Sequence, residues 1–288
     1  MKVKIQHENT YEYENDVFFE THIIKLYPRL APNQRLLNYN LEISPNPVCT
    51  SQYISSEGNI MTQTWFRELS QTLKITSSFE MEIFEHNPFE FFTHPINLGF
   101  PFEYSEDLRK TLSANLIKSS ISSYELKNHI DYLEENSGKN AINFLSMLAS
   151  DIHNHYTYQV REIGAPNHPE LTFLSKEGSC RDFAVLFIEA CRLKGLAARF
   201  VSGYRIDNES KNNVDLHAWA EVYIPGGGWK GYDPTIGLAV DKSYIALTAS
   251  FDAYHTLPIT GTIRGESKKS VFTTNMSAEV CLRACSSI

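Results

Sequence analysis

Three residues in the second half of the chain have the types and the order of a nucleophile, a base and an orienting carboxylate. Cys180 begins a helical pattern, His217 lies in an alternating strand pattern, and Asp233 follows a glycine-rich turn. A thiol in the first turn of a helix lies at the positive end of the helix dipole, which favours the thiolate form. The free N–H groups of that turn could also stabilise an oxyanion. We therefore take Cys180, His217 and Asp233 as the candidate catalytic residues.

The helix that starts at Cys180 has one apolar face and a defined end. Positions spaced i, i+3, i+4 and i+7 are apolar, which predicts that this face is buried. These positions are Ala184, Phe187, Ile188 and Cys191. Gly195 ends the helical pattern. Cys191 lies about 16 Å from Cys180 along the helix axis, so we interpret it as a structural cysteine.

The histidine and the aspartate belong to two strands that a turn can join into a hairpin. Residues 215–223 alternate, with Ala218, Ala220 and Val222 on one face and His217, Trp219 and Glu221 on the other. Three glycines at 226–228 predict the turn. A hairpin would bring Asp233 beside the histidine strand, where its carboxylate could accept the imidazole N–H and fix the tautomer.

The elements that position these residues divide the chain into two parts. The first ninety residues alternate with period two between turn signals, which predicts an antiparallel β-module of about six strands. Helical periodicity then appears over 123–135, 140–155 and 180–194, followed by strand patterns and a last strand over about 270–283. The predicted fold class is α+β. We expect an N-terminal antiparallel β-domain over 1–100 and a catalytic α+β domain over 101–288 that includes the C-terminal strand.

Composition excludes several classes of protein. The 288 residues carry a net charge of −8 without any Lys/Arg-rich run, which argues against a nucleic-acid partner. No apolar stretch approaches the ~20 residues that span a bilayer, and no secretory signal is visible, so we expect no membrane partner and a cytoplasmic location. The five cysteines are scattered and odd in number, which is typical of neither a disulfide framework nor a C-x-x-C metal site. We predict neither a cofactor nor a bound metal.

Two other motifs could indicate a metal site or a phosphate site, but their signals are weaker than that of Cys180, His217 and Asp233. His153 and His155 would point about 200° apart on a helix and could not share a metal ion there, although a strand with His168 as third ligand could hold one. The glycines at 226–228 are not followed by Lys-Ser/Thr and a helix, so they do not predict a phosphate site.

Four segments resemble the bacterial transglutaminase-like superfamily, whose members are described as candidate cysteine proteases. They are G-S-C-R-D-F-A (178–184), R-F-V-S-G-Y (199–204), H-A-W-A-E-V-Y-I-P-G-G-G-W (217–229) and Y-D-P-T (232–235). The β-rich start and the stretch 251–265 resemble the ends of the same proteins. The resemblance implies a papain-like, transglutaminase-like core, a helix packed on an antiparallel sheet, with its catalytic triad on Cys180, His217 and Asp233.

The resemblance also suggests residues around the triad. Tyr158 matches a recurrent aromatic before the cysteine helix, and we assign Tyr158 and Trp219 to substrate or oxyanion contacts, with a plain core role as the alternative for Tyr158. The chain departs from the pattern at Ser179, where a small apolar residue is commoner. It departs again at Ser250-Phe251-Asp252, where Gly-Arg-Asp is usual.

The expected function is amide or peptide-bond processing through a thioester on Cys180, as in a cysteine protease or amidase. The expected partner is a peptide or protein amide. Two alternatives remain open: an acyl transferase that passes the thioester to an amine, and a non-catalytic binding or assembly module. Non-catalytic members of the superfamily typically lack a triad residue, whereas all three are present here. The sequence leaves the substrate and the oligomeric state open.

Overall fold

The computed structural model describes residues 1–94, 98–119, 122–161, 164–206, 214–267 and 269–281. These residues form a mixed structure of helices and antiparallel sheets, which confirms the predicted α+β class. The α-helices are α1 Glu106–Thr111, α2 Tyr124–Asn136, α3 Ala141–His155, α4 Pro169–Ser175 and α5 Cys180–Leu193. Within this described part of the chain, no helix is both long and apolar enough to cross a membrane.

The N-terminal region contains the six strands that its alternation predicts. They are β1 Lys2–Phe19, β2 His22–Ile24, β3 Gln34–Ser44, β4 Cys49–Ile54, β5 Ile60–Trp65 and β6 Leu69–Ile83. They divide between two sheets, because β1, β6 and β3 are neighbours in one sheet while β2, β5 and β4 are neighbours in another. Buried and accessible residues alternate along β6 and the first half of β1, as the period-two pattern requires.

The remaining strands are distributed over four sheets. They are β7 Thr157–Tyr158, β8 Glu177–Gly178, β9 Ala198–Ile206, β10 Val214–Ile224, β11 Gly228–Asp233, β12 Leu238–Ala239, β13 Tyr244–Ser250, β14 Ile259–Thr260, β15 Ile263–Arg264 and β16 Ser270–Cys281. Strands β12, β11, β10, β9 and β13 form the central antiparallel sheet in that order. Strands β7 and β8 form a short parallel pair beside α5.

The central sheet is covered by α5, and this packing forms the larger hydrophobic core. The predicted apolar faces of α5 and β10 both lie in it, together with residues from α2 and α3. Its buried members on α5 and β10 include Phe183, Ala184, Phe187, Ile188, Cys191, Ala218, Ala220 and Val222. Helix α5 therefore lies on the sheet with its first residue, Cys180, at one end of this contact.

The last strand returns to the beginning of the chain. Strand β16 pairs with β1 in antiparallel register from Lys2 opposite Cys281 to Tyr13 opposite Ser270. A second hydrophobic core under this sheet combines residues of β1 and β6 with Tyr204, Ile206 and Ile245 of the central sheet. The C-terminal strand is thus part of the N-terminal sheet rather than an extension of the central one.

Candidate active site

Cys180 is the first residue of α5 and is partly buried. The N–H groups of Asp182 and Phe183 both donate to the carbonyl of Ser179 at 3.0 Å, so the helix begins abruptly at the cysteine. The first N–H groups of a helix have no partner within the helix. In this turn those are the N–H groups of Cys180 and Arg181, which precede the bond made by Asp182.

The start of α5 is fixed by Asp182, which is 1 % exposed. Its Oδ2 accepts hydrogen bonds from the backbone N–H and the hydroxyl of Ser179, both at 2.7 Å. Its Oδ1 accepts from Arg161 and from the backbone N–H of Asn167, both at 2.6 Å. Ser179 departs from the family pattern, and its hydroxyl donates a hydrogen bond to the buried carboxylate of Asp182. Asp182 ties the preceding loop to the helix that carries the thiol.

Gly178 is required by this same arrangement. A Cβ at Gly178 would lie 2.8 Å from the Cβ of Asp182, closer than real contacts allow. The glycine therefore makes room for the carboxylate that holds the helix start.

The register of the β10–β11 hairpin brings His217 and Asp233 to one face. Ala220 pairs with Tyr232, so continuing the register sets Asp233 opposite Trp219 and diagonal to His217. The Nε2 of His217 lies 2.7 Å from Oδ2 of Asp233. The hairpin predicted from the glycine turn therefore brings the two residues into direct contact.

The imidazole of His217 also interacts with the side chain of Cys180. Because Nε2 is used by Asp233, Nδ1 is the nitrogen left for the thiol. Burial opposes the charged imidazole, but the hydrogen bonds and negative charge of Asp233 and Cys180 outweigh it and raise the pKa of His217 to about 10. The structure thus joins His217 to Asp233 by a hydrogen bond and places Cys180 where it interacts with the same imidazole.

Asp233 is completely buried, at 0 % exposed, and is held by three donors. Besides His217, the hydroxyl of Tyr244 donates to Oδ2 at 2.7 Å, and the backbone N–H of Thr235 donates to Oδ1 at 2.8 Å. Burial alone would raise the pKa of Asp233, but the hydrogen bond and charge of His217 and the other two donors lower it. The carboxylate therefore stays charged.

Tyr158 lies at the thiol. It is 48 % exposed, its side chain interacts with that of Cys180, and its backbone pairs with Gly178 in the β7–β8 ladder. Burial and the negative charge of Cys180 raise the pKa of Tyr158. This location is compatible with the substrate contact expected for Tyr158.

The assignment of Trp219 to a substrate or oxyanion contact is wrong. Trp219 is 1 % exposed and packs in a separate small cluster with Val201, Tyr244 and Ala249. Its ring meets Tyr244 edge-on, with ring centroids 5.3 Å apart. The alternation of β10 turns Trp219 to the same face as His217, but side chains of β9 and β13 pack around its ring there.

The histidines considered as metal ligands have separate partners. His153 and His155 lie in α3, not in a strand, and their Nδ1 atoms contact the carbonyls of Thr235 and Asp151. His168 contacts Ser119 instead. Within the described ranges, no group of three His, Cys, Asp or Glu side chains is arranged to hold a metal ion.

Two residues that build the site were missed by the sequence reasoning. Tyr244 lies in β13, an apolar run without a turn or motif that would connect it to Asp233 eleven residues earlier. Asp182 has a usable signal, since Ser179 followed three residues later by an acidic side chain is typical of a capped helix start. The predicted roles of the other cysteines are partly answered: Cys191 is buried, Cys49 and Cys281 are exposed, and Cys285 lies outside the described residues.

A site with a thiol, an imidazole and a carboxylate in series can generate a thiolate–imidazolium pair, the usual nucleophile of acyl-transfer chemistry on cysteine. Comparison with known protein families gives two matches. The family model "Transglutaminase-like superfamily" matches residues 120–234, and "Bacterial transglutaminase-like N-terminal region" matches residues 3–82.

Individual relatives match at moderate identity. An uncharacterised protein of Mycobacterium tuberculosis is 27% identical over 288 residues, covering 94% of this chain and 90% of its own. A protein-glutamine gamma-glutamyltransferase of Pseudomonas aeruginosa is 31% identical over 94 residues, covering 30% of this chain and 14% of its own. A solved structure from Cytophaga hutchinsonii, described as a "Putative Cysteine Protease", has a TM-score of 0.70 at 20% identity and covers 99% of this chain and 92% of that one.

The structural match extends over the N-terminal strands as well as the central sheet, which confirms the expected papain-like, transglutaminase-like core preceded by a β-rich region. The two family models together span most of both parts. The chain therefore belongs to the transglutaminase-like superfamily.

Proposed function

We propose that this protein is a thiol-dependent enzyme that cleaves amide bonds, a cysteine peptidase or amidase. Cys180 is the nucleophile, His217 the general base and acid, and Asp233 the residue that orients and stabilises the imidazolium. The observation that carries this proposal is the 2.7 Å hydrogen bond between Asp233 and His217, whose imidazole also interacts with the Cys180 side chain at the start of α5. Membership of the superfamily supports it.

In the first half of the reaction, the thiolate of Cys180 attacks the carbonyl carbon of the amide. A C–S bond forms and the carbonyl electron pair moves to oxygen, where the free N–H groups at the start of α5 donate to the developing charge. The imidazolium of His217 then gives its proton to the amide nitrogen as the C–N bond breaks. The products are a free amine and a thioester on Cys180.

In the second half, neutral His217 takes a proton from water while the resulting hydroxide adds to the thioester. The C–S bond then breaks, the sulfur leaves as the thiolate, and a carboxylic acid is released. Tyr158, whose hydroxyl reaches Cys180, is the proposed substrate contact beside the reacting carbonyl. The proposed substrate is a carboxamide in a peptide or protein.

Acyl transfer is the second candidate, because an amine can replace water in the second half. The similarity to a protein named as a protein-glutamine gamma-glutamyltransferase favours it. Nucleic acid is not among the proposed partners, and the proposed location is the cytoplasm. The net charge of −8 disfavours nucleic acid as a partner, and the four free cysteines in the described part of the chain are compatible with the reducing cytoplasm.

The test is acyl loading of the native protein with a panel of electrophilic acyl probes, followed by intact mass and peptide mapping. We expect one acyl group on Cys180, lost in Cys180→Ala and retained in Cys49→Ala, which removes an exposed thiol elsewhere. Addition of a primary amine to the loaded protein separates hydrolysis from transfer by the mass of the released product. Labelling of Cys49 or Cys281 in place of Cys180, or no acyl transfer to Cys180 from any probe, would favour the binding module.

A further inference from the structure

The orientation of Asp233 depends on protein donors, because the carboxylate has no exposed surface. Its Oδ2 is shared between His217 and Tyr244, each at 2.7 Å, and its Oδ1 accepts from the backbone of Thr235. A buried carboxylate that loses a donor can rotate or become protonated. Whatever holds Tyr244 in place therefore helps to aim Asp233 at His217.

Tyr244 is held on several sides. It is 7 % exposed, it is the register partner of Arg205 across the β9–β13 pair, and its hydroxyl interacts with the Arg205 side chain. Its ring packs edge-on against Trp219. Gly203 makes this packing possible, since a Cβ there would lie 2.6 Å from Cη2 of Trp219 and 2.2 Å from the carbonyl oxygen of Ile245.

We propose that Tyr244 is a positioning residue for the thiol chemistry, acting on His217 through Asp233, with Arg205 orienting its hydroxyl. This inference rests on the proposed function. The series of interactions would then run from Arg205 through Tyr244, Asp233 and His217 to Cys180. Arg205 can only donate, so the tyrosine hydroxyl accepts from it and is left to donate its own proton to Asp233.

The charged and titratable groups around this series support the assignment. Asp233 is faced by His217 and Tyr244, and His217 is faced by Asp233 and Cys180. Tyr244 is faced by Asp233 and Arg205. Tyr158 faces Cys180, and the negative charges of Asp215 and Asp233 also act on its hydroxyl. Burial and the charge of Asp233 raise the pKa of Tyr244, so its hydroxyl remains a neutral donor in any practical buffer.

The test compares Tyr244→Phe with a matched control, Tyr104→Phe. The Tyr104 hydroxyl also makes two hydrogen bonds, donating to the carbonyl of Tyr223 at 2.7 Å and accepting from the backbone of Ala197 at 2.9 Å. Both variants lose one hydroxyl with two partners, but only Tyr244 touches Asp233. Two quantities are measured: kcat and KM on an amide substrate, and the rate of Cys180 alkylation by iodoacetamide against pH.

For Tyr244→Phe we expect kcat to fall about 10-fold, as for one lost hydrogen bond to a charged group, with KM nearly unchanged. We also expect the acidic limb of the alkylation profile to move up by about half a pH unit to one unit, because Asp233 is protonated more easily. Tyr104→Phe should change neither quantity. Arg205→Gln should shift the limb in the same direction by a smaller amount.

The two readouts separate failure of this inference from failure of the proposed function. Alkylation needs no substrate, so a shifted profile supports the positioning role even if no amide is turned over. An unshifted profile in folded Tyr244→Phe overturns the role, whatever the wild-type activity. If Tyr244→Phe does not fold, an unshifted profile in folded Arg205→Gln overturns it instead.

Discussion

His217 keeps a proton at pH values where an ordinary imidazole has lost it. Burial disfavours the imidazolium, but Asp233 and Cys180 raise its pKa to about 10. In the proposed mechanism this proton is the one delivered to the leaving amine. Asp233 and Cys180, which stabilise the imidazolium, therefore also keep His217 protonated as the general acid at neutral pH.

The first prediction concerns Asp233→Asn. The amide can still orient the imidazole, but it cannot offset the charge, so the pKa of His217 should fall from about 10 toward its ordinary value or below. We expect about a 10- to 100-fold loss of kcat/KM at neutral pH, and an alkaline limb that moves to lower pH. The pH profile of kcat/KM measures both effects. An alkaline limb that stays in place would contradict the role of Asp233.

The free energy of unfolding should depend on pH through His217 and Asp233, and the two contributions should be lost in opposite pH directions. The raised pKa of His217 contributes stability that is full below pH about 6.5 and is lost as pH rises toward about 10. The lowered pKa of Asp233 contributes stability at higher pH that is lost as pH falls below its ordinary value of 3.8. Urea unfolding of wild type and Asp233→Asn at pH 6 and pH 9 measures the first contribution, which should be smaller in the variant.

The types and spacing of Cys180, His217 and Asp233 predicted which three side chains meet, because a helix start and a hairpin fix their positions from local sequence. Tyr244 could not be predicted in this way. Its contact with Asp233 depends on β13 pairing with β9, and no local pattern in 244–250 specifies that partner. Trp219 was misassigned because alternation identifies a face of the sheet without identifying what covers it.

At the scale of elements, the start of α5 is the part that must be rigid. Asp182 connects Ser179 at the start of the helix with Arg161 and Asn167 in the preceding loop. The same loop follows Tyr158, which contacts the thiol. Displacement of this carboxylate would therefore move both the nucleophile and its neighbour.

We predict that Asp182→Asn destabilises the protein by about 3 kcal/mol, since it places an amide donor among four buried donors and leaves Arg161 without its anion. Alkylation of Cys180 at neutral pH should slow as well, because the helix start is no longer fixed. Urea unfolding and iodoacetamide kinetics measure the two effects. Arg161→Gln is the milder control, since both Ser179 contacts remain. Equal stability of Asp182→Asn and wild type would show that this network does not hold the helix.

Sequence periodicity predicted the long helices and the strands of the central hairpin, but it did not predict the short elements. Helix α5 over Cys180–Leu193 ends one residue before the predicted end. Helix α4 was missed because its seven residues, Pro169–Ser175, are too few to show a period. Strands of two residues, such as β7 and β8, depend on tertiary pairing and have no sequence signal of their own.

In the whole molecule, the two predicted domains are joined by a common sheet and a common hydrophobic core. Strand β16 completes the N-terminal sheet beside β1, and the core under that sheet includes Tyr204, Ile206 and Ile245 from the central sheet. Sequence order predicted a last strand but not its destination, because pairing with β1 joins residues more than 250 positions apart. The division into domains at about residue 100 remains a prediction.

Limited proteolysis tests this division. We expect the first cut within about residues 84–92, where Phe84, Phe89 and Phe92 are exposed. Because β16 and the shared core join the two fragments, we expect them to elute together in gel filtration and to separate only in denaturant. Fragments that separate in native buffer would show that the β-module is independent of its C-terminal strand.

The acylation rate of His217→Ala shows whether His217 activates Cys180 for attack on an amide. Single-turnover acylation is measured on wild type and on His217→Ala with a substrate found by the probe panel, with Cys180→Ala as the blank. We predict at least a ~1000-fold slower acylation in His217→Ala, since thiolate formation and protonation of the leaving amine both fail. Near-normal acylation of Cys180 in His217→Ala would contradict the account and leave His217 as a structural residue of β10.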